Sequence, residues 1–221
     1  MMNKLAPAAV ALVVVAGGAW WYSSQTSAPP VPSLNQAQTA DMSGVDLSLV
    51  EDVVLGNPDS SVTVIEYASF TCPHCANFHR NVFPQIEANY IDNGQIRWEM
   101  REVYFDAYGL WAALVARCDI DRYKGVVEMI YRTQQDWAGS SDGGVVADNL
   151  RRLGRTAGLE SDQVNACLED GELAQALVAA YQANSVEHNI SSTPSFVING
   201  ELHSNMSYAD FASTLDNLLG D

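Results

Sequence analysis

The chain has 221 residues, 48% of them hydrophobic, which is enough for one sizeable core. Its formal charge of −16 argues against nucleic acid as a partner and keeps the chain soluble without defining a substrate.

The N-terminus reads as an export signal. Lys4 precedes an apolar run from Leu5 to Trp21. A cleaved signal peptide would use the small residues Gly17 and Ala19 before Trp20. An uncleaved anchor would use residues 5–22, with Trp20, Trp21 and Tyr22 at the outer membrane–water interface. As a helix the run spans about 26 Å, just short of a typical hydrocarbon core. The aromatic cluster and the weak cleavage site favour the anchor. Both readings put the rest of the chain where disulfides persist. Residues 23–44, rich in Ser, Ala, Gln and Pro (Pro29, Pro30, Pro32), read as a flexible linker without apolar period.

The folded part begins near residue 45. Residues 62–68 (Val62-Thr63-Val64-Ile65-Glu66-Tyr67-Ala68) read as a strand. A helix follows from Pro73, whose missing N–H suits the first helical position. Its apolar positions, Cys75, Phe78, Val82, Phe83, Ile86 and Tyr90, recur with a period near 3.6. Pro84 inside this pattern predicts a kink. After the turn signal Asn93-Gly94, residues 95–103 read as a second strand, parallel to the first through a βαβ crossover.

Between 106 and 189 the pattern is helical throughout, with helices expected at 108–118, 122–135, 145–157, 161–168 and 172–187. Strands return at 195–199 and 201–203, joined by the hairpin signal Asn199-Gly200, and a helix over 208–219 closes the chain. The order is therefore a small α/β unit, from residues 45–105 and 190–221, interrupted by an all-helical insertion at 106–189.

The chemistry concentrates in Cys72-Pro73-His74-Cys75. Two thiols at this spacing can close and reopen a disulfide ring, and in an exported chain that points to thiol–disulfide exchange. At the N-cap of the helix, Cys72 would have its thiolate stabilised by the helix dipole and free N–H groups. A protonated or hydrogen-bonding His74 would add to this. The competing readings are a structural disulfide or half a zinc site helped by His79. No second C-x-x-C or H-x₃-H completes a tetrahedral set, so no metal is expected.

With this motif placed after Glu66-Tyr67-Ala68-Ser69-Phe70-Thr71, the segment Thr193-Pro194-Ser195-Phe196-Val197-Ile198-Asn199-Gly200 downstream, and a helical insertion between them, residues 50–221 resemble the DsbA-type thiol:disulfide oxidoreductases. The resemblance implies a thioredoxin fold with an inserted all-helical domain. It implies an enzyme without cofactor beyond the redox-active Cys72–Cys75 disulfide, which introduces disulfides into exported proteins. Unfolded exported chains would be its substrates and a DsbB-type membrane oxidase its redox partner. Its place would be the periplasm, free or anchored to the inner membrane.

The resemblance also assigns roles. Glu66 becomes a buried carboxylate that relays a proton to or from Cys75, where the residues alone favour a solvated edge acid. Pro194 becomes a cis-proline that sets the backbone of Thr193 beside Cys72 to dock an extended substrate, where the residues alone favour an ordinary trans proline. Cys118 and Cys167 are similar to the extra pair of the branch whose inserted domain carries its own disulfide. Two buried free thiols are the alternative.

The nearest rival function is a disulfide isomerase or reductase of the same fold. The rival from another class is a non-catalytic thioredoxin-like chaperone or binding module. His188 and His203 read as ordinary histidines, Trp98, Trp111 and Trp137 as packing residues, and Arg151, Arg152 and Arg155 as a solvated helix face.

Overall fold

The computed structural model describes residues 44–220. The export segment expected at 1–22 and the linker up to residue 43 lie outside the described residues.

Five strands form one mixed sheet: β1 (Val53–Gly56), β2 (Thr63–Ala68), β3 (Arg97–Glu102), β4 (Ser195–Ile198) and β5 (Glu201–Ser204). Their order is β1-β3-β2-β4-β5. Only β2 and β3 run parallel, and Glu66 pairs with Met100 on one side and Phe196 on the other. The strand period of two puts Val64, Glu66 and Ala68 on one face and Ile65 and Tyr67 on the other. Both faces are covered, which explains why β2 has little polar alternation.

Against the first face pack α1 (Pro73–Asn81), the short α2 (Phe83–Ile86) and the C-terminal α9 (Tyr208–Leu219). Phe78 of α1 and Phe211 of α9 each bring a ring near the Phe196 ring, both at 4.8 Å between centroids. Burial of each such side chain contributes roughly 1.5–3 kcal/mol. The opposite face carries a smaller cluster of Tyr67, Val103 and Val197, packed by Tyr181 and Ile190.

Between β3 and β4 the chain folds into α3 (Ala107–Ala116), α4 (Tyr123–Arg132), α5 (Gln134–Ala138), α6 (Gly143–Thr156), α7 (Ser161–Leu168) and α8 (Gly171–Glu187). From Gly109 to Ala116 every residue of α3 is buried, so it serves as the axis of this helical block. At Gly154 of α6 a Cβ would lie 2.8 Å from a Val164 methyl, so only glycine lets α6 and α7 approach this closely. The β4–β5 turn has Asn199 at φ 45° and Gly200 at φ 89°, the left-handed pair that an Asn-Gly hairpin requires.

Three local expectations need correction. The chain does not kink at Pro84; it breaks earlier, with α1 ending at Asn81 and α2 starting at Phe83, so Pro84 sits in a first turn, where no N–H is missed. A π-helical turn over Glu87–Ile91 follows. The helix expected over 122–135 divides at Thr133, whose φ −108° and ψ 22° leave the helical region. Strand β1 had no counterpart in the sequence reading. It is four residues at the sheet edge, too short to show a period.

Candidate active site

Cys72 occupies the N-cap of α1 in an extended conformation, φ −78° and ψ 119°, with Pro73 as the first helical residue. It is 9% exposed, whereas Cys75, one turn along, is fully buried, and the two are present as the dithiol. Their thiols are driven in opposite directions. Cys72 is lowered to about 5, first by the hydrogen bond from the Cys75 thiol, against the opposing effect of burial. Thr193 and the backbone N–H groups of Cys75 and His74 add to the lowering. Burial pushes Cys75 far above the ordinary thiol range, helped by the neighbouring Cys72 sulfur. One sulfur is thus a ready thiolate and the other holds its proton.

The loop before β4 closes over this pair. The Thr193–Pro194 peptide is cis, and the Thr193 carbonyl lies 3.5 Å from the Cys72 Sγ. The Thr193 hydroxyl is buried without a hydrogen-bond partner, available to the sulfur as a donor.

The loop bearing Cys72 is fixed from the helical block. Buried Gln134 donates its amide N–H groups to the carbonyls of Phe70 (2.8 Å) and Cys72 (3.0 Å). The Thr71 hydroxyl donates to Asp106 (2.6 Å), whose other carboxylate oxygen caps α3 through the N–H of Gly109. Beneath the motif, Glu66 is wholly buried, and its Oε1 lies 2.7 Å from Nε2 of His79. Its Oε2 has no partner. The His79 ring stacks on Tyr131, with centroids 4.2 Å apart.

A dithiol at a helix N-terminus, facing a cis-proline loop across a mixed sheet, coincides with a family match. The thioredoxin family model covers residues 48–217. The chain belongs to the thioredoxin family. Among its relatives, a Rickettsia bellii protein provisionally named a protein-disulfide oxidoreductase is 32% identical over 75% of this chain. The Rickettsia prowazekii counterpart is 33% identical over 77%. This chain spans 63% and 62% of the length of those two relatives. The crystal structure of Wolbachia pipientis alpha-DsbA1 is similar with a TM-score of 0.69 and 28% identity, over 77% of this chain and 92% of that one. Oxidised BdbD of Bacillus subtilis shares the fold with a TM-score of 0.68 and 22% identity, over 80% and 96% of the two chains.

Within this thioredoxin-family site the structure brings Cys72, Cys75, Thr193 and Pro194 together, with Glu66 beneath them. His74 is exposed, and its backbone N–H acts on the Cys72 sulfur. Cys118 and Cys167 stand apart from the site, bonded to each other with an S–S distance of 2.00 Å between the end of α3 and α7. Among the described residues no group of three or more His, Cys, Asp or Glu side chains is arranged to hold a metal, and no helix is long and apolar enough to cross a membrane. Trp98, Trp111 and Trp137 are buried. His188 hydrogen-bonds Tyr67 through Nδ1 at 2.6 Å.

The sequence reading missed Gln134, Asp106, Tyr131 and the pairing of His79. Gln134 had a detectable signal: it continues the buried row Val127, Ile130, Tyr131 as the one polar member. His79 had one too, four residues after Cys75 on the buried face of the same helix.

Proposed function

We propose that the chain is an extracytoplasmic thiol:disulfide oxidoreductase of DsbA type that introduces disulfides into exported proteins. The observation that carries this reading is the split between Cys72, a thiolate at neutral pH, and the buried, protonated Cys75. A stabilised thiolate favours the reduced pair, which makes the disulfide form a strong oxidant.

In the cycle a substrate thiolate attacks Sγ of Cys72 in the Cys72–Cys75 disulfide. The S–S bond breaks, its electron pair goes to the Cys75 sulfur, and Cys75 takes up a proton. Cys72 now carries the substrate in a mixed disulfide. A second substrate thiolate attacks the substrate sulfur of that bond and expels Cys72 as a thiolate, leaving an oxidised substrate and a reduced enzyme. A membrane oxidase of the DsbB type would reoxidise the pair.

Recognition of unfolded chains is supported by the Thr193 backbone beside Cys72, where an extended peptide could add as a strand. Phe105, more than half exposed, stands next to Asp106, which holds the active-site loop. The relatives' names support the activity. The apolar run at residues 5–21 supports export, with anchoring to the inner membrane through residues 5–22.

The test is oxidative refolding of a reduced, unfolded protein by the purified oxidised chain. Stoichiometric oxidation that Cys72→Ser abolishes is the expected result. Oxidation that survives loss of Cys72, or no oxidation by the intact chain, would overturn the reading.

A further inference from the structure

We propose that His79 is a positioning residue that shares a proton with Glu66, so that the pair delivers it to Cys75 when Cys75 leaves the disulfide and takes it back when Cys75 attacks. The inference rests on the oxidoreductase reading and deepens it.

Its geometry is on one helix face. His79 follows Cys75 by four residues, one turn along α1, and both point into the core. The His79 ring is held by Tyr131 on one side and Phe83 on another, at 4.2 and 4.8 Å between centroids, which fixes Nε2 on the Glu66 carboxylate. Glu66 lies in an apolar row between Met100 and Phe196. There an aliphatic side chain would cost nothing to desolvate, whereas a carboxylate with a bare Oε2 costs several kcal/mol. A cavity of about 10 Å³, the size that admits one water, is lined by Glu66, Tyr123 and Tyr131 among others.

The other charged and titratable groups around the pair are already engaged. From β3, Arg101 is bound to Glu99 and Tyr67. Glu102 is clasped by both sides of the Arg117 guanidinium, which projects from the end of α3, and by the Tyr123 hydroxyl from α4. Arg80 of α1 donates to the Tyr131 carbonyl. None of these cations is given to Glu66, and His79 is its partner. Cys72, from the same helix as His79, is already a thiolate. Cys75, one turn before His79 on the buried face of α1, is left as the neighbour that must exchange a proton in the reaction.

The step balances. The substrate thiolate forms the new S–S bond to Cys72, and the old bond's electron pair resides on the Cys75 sulfur. The proton held between Glu66 and His79 passes to that sulfur. The pair is left as a carboxylate with a neutral imidazole donating Nε2–H, and it recovers a proton through the slightly exposed His79 edge, 8% accessible. Reoxidation runs the same transfers in reverse.

The test measures reduction of the Cys72–Cys75 disulfide by glutathione in rapid mixing from pH 5 to 9, for the intact chain, His79→Gln and His79→Phe. Glutamine keeps an N–H toward Glu66 but cannot carry the proton. The expected result is a loss on the order of 10²-fold near pH 7 in both variants. In His79→Gln the residual rate per glutathione thiolate should rise about tenfold for each unit of falling pH, as Cys75 draws its proton from solvent, while the alkylation midpoint of Cys72 stays near 5. A His79→Gln profile that follows the intact chain overturns the proposal, as does a loss that tracks a moved Cys72 midpoint. If neither variant folds, the imidazole ¹⁵N signals of His79 in the intact chain decide: a ring that carries no proton on Nε2, the nitrogen facing Glu66, in either redox form overturns it. A disulfide in the intact chain that is inert to glutathione and to reduced protein alike removes the oxidoreductase reading and this proposal together. A reactive chain with an unaltered His79→Gln profile removes this proposal alone.

Discussion

Replacing Cys75 by alanine isolates the strongest influence on the reactive sulfur. The largest contribution to the low Cys72 value is the hydrogen bond from the Cys75 thiol, ahead of Thr193 and the two backbone N–H groups. A hydrogen bond to a charged group is worth about 1.5–3 kcal/mol, and one pKa unit corresponds to about 1.4 kcal/mol. Removing the donor should therefore raise Cys72 by about one to two units, from about 5 to about 6–7. At pH 6 the thiolate fraction would fall from about nine-tenths to between roughly a tenth and a half. Cys75→Ser, which keeps an O–H donor, should shift less. The assay is the pH dependence of Cys72 alkylation by iodoacetamide, with thiolate ultraviolet absorbance as a second readout. A midpoint unmoved in Cys75→Ala would refute the assignment and leave Thr193 and the helix N-terminus as the cause. A midpoint at the ordinary value of about 8.5 would show that neither Thr193 nor the backbone N–H groups contribute.

Three further outcomes follow from the same structure. Because the folded value of Cys72 lies below the ordinary one, its stabilisation of the dithiol form is fully present above about pH 8.5 and is lost as pH falls through about 5. Reduction above pH 5 then takes up one proton for two electrons, so the potential should change by about 30 mV per pH unit there and by about 60 mV below it; redox titration in buffered glutathione reads both slopes. Gln134→Leu should destabilise the fold by about 1–3 kcal/mol, read as a lower urea midpoint at unchanged slope, since the Phe70 carbonyl loses its donor while Cys72 O still accepts from the Ala76 N–H. Replacing Cys118 and Cys167 together by alanine should cost up to about 4 kcal/mol by the loop-closure model and leave the Cys72 alkylation midpoint in place.

Much of the fold was legible because local signals agreed with each other. The strand before the motif, Pro73 at a helix start, Asn199-Gly200 at the hairpin and the run of helical periods each carry their own chemistry in a few adjacent residues. The edge strand β1 was not legible, since Val53-Val54-Leu55-Gly56 is too short to show a period and draws its hydrogen bonds from β3 more than forty residues away. The same holds inside the site. Cys72, Cys75 and Pro194 announce themselves by motif, but Gln134 reaches the active-site loop from 62 residues along the chain, and Tyr131 meets His79 only once α4 packs on α1. His74 adds a contribution that its side chain does not announce, since its backbone N–H at the start of α1 also acts on the Cys72 sulfur.

The redox potential of the Cys72–Cys75 pair tests the central claim most directly. A thiolate stabilised to about 5 beside a buried, protonated partner predicts a potential more oxidising than about −180 mV at neutral pH. A value near −270 mV, that of a thioredoxin reductant, would contradict it.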